Sequence, residues 1–118
     1  MPQITVQYPK ALAAGFDRRG FALAAHAAAS DLISSALGGF KTRFLALDET
    51  VVGDGSPNHH MVHAIVDILP GRPEELKERL GKLILGLLKE HLAIPSACSI
   101  QVTTEIRELQ GYYQLVLP

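Results

Sequence analysis

The sequence predicts an α+β (α/β) fold in which two βαβ units form one four-stranded mixed sheet with both helices on one face. Three features predict this fold: a strand-like alternation at the amino end, two apolar ladders at helical spacing, and a repeat that relates the two halves. The chain has 118 residues and a hydrophobic fraction of 47%, the size and composition of one globular domain. We therefore predict a single domain over residues 1–118, with repeats at about 2–48 and 61–109.

The first unit begins with a strand. Residues 3–8 alternate between polar and apolar side chains, a period of two that is typical of a half-buried strand. From about Asp17 the apolar residues recur at helical spacing, and we expect Gly38-Gly39 to end this helix, because glycine adopts the left-handed conformation without a steric penalty. The segment 41–48 then predicts a second strand.

The second unit has the same order of elements. Residues 61–69 are nearly continuously apolar, which favours a strand covered on both faces. The segment 70–75 combines early prolines with acidic residues and therefore predicts the start of a helix. We expect Ile94-Pro95 to terminate that helix, and residues 99–109 alternate as a fourth strand.

A repeat relates the two units. The first ladder, moved by 55 positions, falls on the second, and the strands correspond at a shift of 58. The ladder that moves in this way comprises Phe21, Ala25, Ala28, Ala29, Leu32, Ile33 and Ala36. A crossover of helical length implies parallel strands within each unit. Because both helices cover one face of the sheet, we expect other subunits to cover the second face.

Charge and composition restrict the partners. Lys+Arg 11 against Asp+Glu 12 gives a formal charge of -1, which offers no overall attraction to nucleic acid or to an anionic membrane. No apolar stretch is long enough to span a bilayer, and the amino end lacks the features of a signal peptide. The single Cys98 excludes an internal disulfide, so we expect a cytoplasmic protein.

Several motifs together resemble a known family. Pro2 follows Met1 and opens a strand, residues 39–43 read Gly-Phe-Lys-Thr-Arg, and the pairs Val62-His63 and Gly71-Arg72 follow. Further matches are Glu75, 89–91 and 105–109. In their order and spacing these residues resemble the tautomerase superfamily and, within it, the 5-carboxymethyl-2-hydroxymuconate delta-isomerase family. The resemblance covers nearly the whole chain. It implies a homotrimer and a metal-free, cofactor-free isomerase that moves a proton in a small unsaturated hydroxy or keto acid.

The resemblance implies that Pro2 is the catalytic general base once Met1 is removed. An α-amino group titrates near pH 7.7–8.0 in peptides, and burial beside cations would lower its pKa toward the working pH. The proline ring also holds the nitrogen lone pair in one direction.

The resemblance also implies residues that bind a carboxylate substrate. Arg72 matches a family arginine, and its planar guanidinium can hold a carboxylate with two hydrogen bonds. Lys41 stands where the family has an arginine, so the charge is kept but the planar fork is lost. Arg43 points to the same strand face and is either a substitute for it or an ordinary cross-strand charge. His63 matches a family histidine that we expect close to Pro2 in the sheet.

Two other functions stay open. One is hydration or dehalogenation of a small unsaturated acid, in which a protonated Pro2 would act as general acid and a carboxylate would activate water. Asp48, Glu49 and Asp54 are the candidates for that carboxylate. The other is a non-catalytic assembly module on the same fold.

No metal or cofactor is expected. His59, His60 and His63 lie close together in sequence, but no cysteine and only one carboxylate stand near them. Cys98 has no adjacent cation that would lower its pKa, so we interpret it as a packing thiol.

Overall fold

The computed structural model describes all residues from Met1 to Pro118. The elements in chain order are β1 (Gln3–Pro9), a 3₁₀ helix (Lys10–Gly15), α1 (Arg18–Ile33), a 3₁₀ turn (Leu37–Gly39), β2 (Lys41–Leu47), β3 (His59–Ile68), α2 (Glu74–Glu90) and β4 (Ser99–Glu108). The first 3₁₀ helix occupies the connection that makes the first unit longer than the second.

The four strands form one mixed sheet in the order β2-β1-β3-β4. β1 is parallel to β2 and β3 is parallel to β4, so each unit is a βαβ crossover. The two units meet where β1 and β3 run antiparallel. The predicted fold is therefore confirmed, including the mixed sheet and the two βαβ units.

The core lies between the helices and one face of the sheet. Every second residue of β1 and β3 is buried there, and the buried set of these two strands comprises Ile4, Val6, Tyr8, Val62, Ala64, Val66 and Ile68. The shift of 55 also holds in three dimensions, because Ala25, Ala29 and Ile33 of α1 and their counterparts in α2 are all buried; those counterparts are Leu80, Ile84 and Leu88. Within one chain β3 is covered on one face, and its alternate residues on the other face stay partly exposed. Cover of that second face by other subunits stays a prediction.

Both helices end earlier than predicted. α1 stops at Ile33, where Ser34 adopts a left-handed conformation with φ 53° and its N–H bonds to the carbonyl oxygen of Ser30. The hydroxyl of Ser30 donates to the carbonyl oxygen of Ser35 at 2.6 Å, which closes the turn. Gly38-Gly39 instead forms part of the 3₁₀ turn that leads into β2. α2 ends at Glu90, four residues before Ile94.

The segment after β4 leaves the sheet at Gly111, whose φ of 55° is in the left-handed region. Tyr112 is tied to β1, because the amide of Gln3 donates a hydrogen bond of 2.9 Å to its hydroxyl. Beyond it the chain is apolar and exposed, and Tyr113 is 92% exposed. No helix in the protein has the length and apolar character needed to cross a membrane.

Candidate active site

Pro2 directly precedes β1. It lies at the end of the sheet where β2 begins and β3 ends. Its side chain is fully buried. Its carbonyl oxygen accepts a hydrogen bond of 3.2 Å from the backbone N–H of Lys41, and the pairing of β1 with β2 begins at Gln3 and Lys41. The backbone at Pro2 is thus fixed by the sheet.

Met1 precedes this buried proline, and its side chain lies beside Gly39. Its ammonium donates a hydrogen bond of 3.5 Å to the hydroxyl of Ser35. Burial, and then the positive charges of Arg72 and Lys41, lower the pKa of this amino terminus from its ordinary value of 8.0. The amino end of the chain therefore lies in a partly desolvated position between two cations.

Arg72 is held in place by the backbone on both sides of the site. Its Nε and Nη2 donate to the carbonyl oxygen of Ile33 at 3.3 and 3.2 Å, and its Nη1 donates to that of Leu69 at 3.3 Å. The arginine lies two residues before α2 begins. A guanidinium carries five N–H donors, so these three contacts leave two donors for a ligand while they fix the plane of the group.

Lys41 supplies the second cation. Its Nζ donates a hydrogen bond of 3.0 Å to the carbonyl oxygen of Gly39, so the side chain folds back toward the 3₁₀ turn. Neither Lys41 nor Arg72 takes part in any ion pair of the structure. Two cations without a carboxylate partner create a positive potential that suits an anionic ligand.

Arg43 lies on the same exposed face of β2 as Lys41, as the alternation predicts. Its guanidinium donates to the side-chain oxygen of Gln3 and, at 3.4 Å, to the hydroxyl of Thr5. These are cross-strand contacts on the sheet face opposite the helices. Within one chain the structure therefore favours the ordinary cross-strand interpretation of Arg43.

His63 does not lie beside Pro2, and that expectation is wrong. Because β1 and β3 are antiparallel, the start of β1 pairs with the end of β3, where Gln3 faces Asp67. His63 instead faces Gln7, which places it about 16 Å along the sheet from Pro2 at the usual rise of a strand. Its Nδ1 forms a 2.6 Å hydrogen bond with the hydroxyl of Thr103, a contact within the sheet.

The carboxylates considered for water activation lie at the opposite end of the sheet. Asp48 follows Leu47, which pairs with Pro9 at the far end of β1, so it stands about 26 Å along the sheet from Pro2 at the usual strand rise. Asp48 forms an ion pair of 2.6 Å with Lys10. Asp54 contacts His59 at 3.7 Å in the same region. No three His, Cys, Asp or Glu side chains come together in a way that could hold a metal ion.

Comparison with known proteins identifies the family. The family model described as 5-carboxymethyl-2-hydroxymuconate isomerase matches residues 2–115. The chain belongs to this family. Membership makes the protein an isomerase, and it confirms the resemblance found in the sequence. A comparison with curated protein sequences finds no match.

Solved structures share the fold at low sequence identity. A 5-carboxymethyl-2-hydroxymuconate isomerase from Deinococcus radiodurans R1 is 24% identical with a TM-score of 0.75, over 97% of this chain and 88% of that one. A 5-carboxymethyl-2-hydroxymuconate delta-isomerase is 16% identical with a TM-score of 0.82, over 100% and 89%. A fused 4-OT described as a symmetric trimer is 18% identical with a TM-score of 0.71, over 91% and 85%.

The sequence analysis missed the part of the site that follows α1. Ser35, whose hydroxyl contacts the amino terminus, belongs to none of the motifs found in the sequence. Gly39 was interpreted as the end of a helix and as part of a motif. The carbonyl oxygen of Ile33, which orients Arg72, has no sequence signal at all, because any residue supplies one.

Proposed function

We propose that this isomerase moves a proton within a small unsaturated 2-hydroxy or 2-oxo acid with two or more carboxyl groups, 5-carboxymethyl-2-hydroxymuconate above all, in aromatic-compound degradation. The observation that carries the proposal is the position of the amino terminus between Arg72 and Lys41, where burial and positive charge lower the pKa of an amine. Removal of Met1 would make Pro2 the new amino terminus in this setting.

The chemistry needs one base and two anion-binding groups. The unprotonated Pro2 nitrogen takes the proton from the 2-hydroxyl oxygen of the dienol and returns it to a carbon further along the conjugated chain. The reaction needs no redox partner, because it only moves one proton and shifts the double bonds. Arg72 and Lys41 bind carboxylate and stabilise the negative charge that develops on the enolate oxygen.

The same cations serve both parts of the mechanism. Together with burial, they lower the pKa of the amine and so increase its unprotonated fraction, and they attract the anionic substrate to it. Charges separated by less than the Debye length of about 8–10 Å act with little screening when they are partly buried. The amine and its substrate therefore depend on one pair of side chains.

The test combines intact mass with kinetics. Mass spectrometry verifies that Met1 is absent, and the ultraviolet absorbance of 5-carboxymethyl-2-hydroxymuconate gives kcat/KM across pH. The proposal predicts turnover with an acid limb below pH 8, since the amine must lose its proton to act. Pro2→Ala leaves a primary amine at the same place and should retain part of the rate. An unchanged rate in Pro2→Ala would contradict the assignment of Pro2.

The alternative of hydration or dehalogenation receives less support from the geometry. It requires a carboxylate that activates water beside Pro2, and Asp48, Glu49 and Asp54 follow the far end of β2. A halide-release assay on small haloalkenoic acids decides between the two reactions. A verified Pro2 terminus that turns over neither class of substrate would favour the third possibility, a non-catalytic assembly module.

We further propose that residues 1–118 form one domain, that the protein is a homotrimer and that it acts in the cytoplasm. The bare face of the sheet, the edge strands β2 and β4 and the exposed apolar segment after Tyr112 all leave surface for other copies of the chain. Sedimentation at micromolar concentration should give three times the mass of the chain. A monomer under those conditions would contradict the proposed assembly.

A further inference from the structure

Gly39 is a buried glycine without a backbone reason to be one. It lies in the 3₁₀ turn between α1 and β2 and is buried. The glycines with a positive φ are Gly53, Gly55, Gly71 and Gly111, so residue 39 has a backbone conformation that other amino acids adopt. The backbone conformation therefore does not account for the absence of a side chain at this position, and the neighbouring atoms have to be considered.

Met1, which the proposed mechanism removes, occupies the space beside Gly39. A Cβ atom placed on Gly39 would lie 2.8 Å from the Met1 sulfur, 3.6 Å from its Cα and 3.9 Å from its Cε, and these are the three nearest atoms. A contact of 2.8 Å is closer than real Cβ atoms allow, and the atom that would have to move is the sulfur of the flexible Met1 side chain. The side of Gly39 on which a side chain would lie therefore faces Met1.

Gly39 also touches the binding machinery through its backbone. Its carbonyl oxygen accepts the hydrogen bond of 3.0 Å from Lys41 Nζ, and the same turn is followed by the strand residue whose N–H bonds to Pro2. The glycine therefore lies between a substrate-binding cation and the position of the base.

We propose that Gly39 determines which substrates fit beside Pro2. The inference rests on the proposed function: once Met1 is removed, the space against Gly39 receives the carbon skeleton of the substrate, with a carboxylate directed to Lys41. The missing side chain admits a branched acid, one that carries a carboxymethyl group on the conjugated chain. A methyl group at residue 39 would occupy part of that space.

The experiment compares Gly39→Ala with Gly38→Ala, its neighbour in the same turn. A Cβ on Gly38 meets no atom within 4 Å, so Gly38→Ala is a matched control for the added methyl group. Both variants are verified by intact mass to begin at Pro2. The substrates are 5-carboxymethyl-2-hydroxymuconate and 2-hydroxymuconate, which lacks the carboxymethyl branch.

Gly39→Ala should lower kcat/KM for the branched substrate by about tenfold or more, the usual scale of an overpacked site. The loss for 2-hydroxymuconate should be several times smaller, and Gly38→Ala should stay within about twofold of the parent on both. The melting temperature of Gly39→Ala should match the parent, because the nearest atoms to the new methyl group are gone with Met1.

Four results would overturn either the inference about Gly39 or the proposed function. If the parent is active and the two variants have equal kinetics, the inference is overturned and the proposed function stands. A loss in Gly39→Ala that is the same for both substrates has the same meaning. A Gly39→Ala protein that melts much earlier or fails to fold assigns the glycine a structural role and also overturns it. A parent that turns over neither substrate overturns the proposed function itself.

Discussion

The two βαβ units bury side chains at corresponding positions, but these side chains differ in size. Ala25 and Ala29 of α1 correspond to Leu80 and Ile84 of α2, and all four are buried. α1 therefore presents small residues to the sheet where α2 presents large ones. The remaining volume in the first unit is filled by aromatic residues, as when the rings of Phe16 and Phe44 meet edge to face at 5.8 Å.

The units also differ in how their cations are used. In the second unit Lys77, Lys82 and Arg107 each contact a carboxylate within 2.8 Å. At the amino end of the first unit Lys41 contacts only a backbone carbonyl, as Arg72 does between the units. The repeat places His60 and Ser99 where the first unit has Pro2 and Lys41. The lesson is that the residues at the start of the paired strands, not the fold, distinguish the amino end from its counterpart.

The largest effect is expected from displacement of the base. Insertion of one alanine between Met1 and Pro2 leaves an Ala-Pro terminus, in which the Pro2 nitrogen is an amide and cannot accept a proton. We expect kcat to fall by about 10²–10⁴-fold, the usual contribution of a general base. Circular dichroism should show an unchanged fold, and a rate close to that of the parent would rule out Pro2 as the base.

The difference in helix packing predicts a difference in stability. Ile84→Ala removes a fully buried side chain and should lower the free energy of unfolding by about 2–5 kcal/mol. Its counterpart Ala29→Gly removes one methyl group and should cost only about 1 kcal/mol. Urea unfolding at a fixed protomer concentration measures both, because assembly makes stability depend on concentration. Equal losses would show that the two helices do not share the core as described.

Loss of one cation at the amino end should have a smaller effect than loss of the base. Arg72→Ala or Lys41→Gln removes a charge that lowers the pKa of the amine, so that pKa rises and the acid limb of kcat/KM moves to higher pH. The KM should rise by about tenfold or more, since charge-assisted hydrogen bonds to the substrate are lost. A pH profile gives both quantities. A higher KM with an unmoved acid limb would separate substrate binding from control of the base.

The smallest effect is expected for the paired cations of the second unit. Lys82 is exposed and forms an ion pair of 2.8 Å with Glu78 one turn away on α2, the kind of surface pair that contributes little. Lys82→Gln should leave KM, the acid limb and the melting temperature unchanged. It is the charge-matched control for Lys41→Gln. A raised KM in Lys82→Gln would mean that overall charge, not position, attracts the substrate.

Most of the fold could be predicted because burial repeats at short periods. The alternation of Ile4, Val6 and Tyr8 and the ladder of α2 both follow from local pattern alone. The end of α1 could not be predicted in the same way. Ser34 ends the helix in a left-handed conformation, which is uncommon for residues other than glycine. Arg72 also binds the carbonyl oxygen of Ile33 from 39 residues away, and such a contact leaves no mark on the local sequence.

The roles of the site residues stay predictions. Pro2, Lys41 and Arg72 come from the family motif, and the structure places the charges of Arg72 and Lys41 near the amino terminus. His63 was misplaced because a motif gives order along the chain, whereas strand register decides distance across the sheet. The space beside Gly39 could not be predicted, because it becomes visible only when the neighbour of the glycine is known.

The pKa of the Pro2 nitrogen tests the account most directly. A titration of protein labelled with ¹⁵N-proline, verified by mass to lack Met1, reports that nitrogen alone. We predict a pKa below the 7.7–8.0 of an ordinary α-amino group, equal to the pKa of the acid limb of kcat/KM and higher in Lys41→Gln. A Pro2 nitrogen that titrates at or above the ordinary range, or a value that Lys41→Gln does not move, would contradict a base tuned by these two cations.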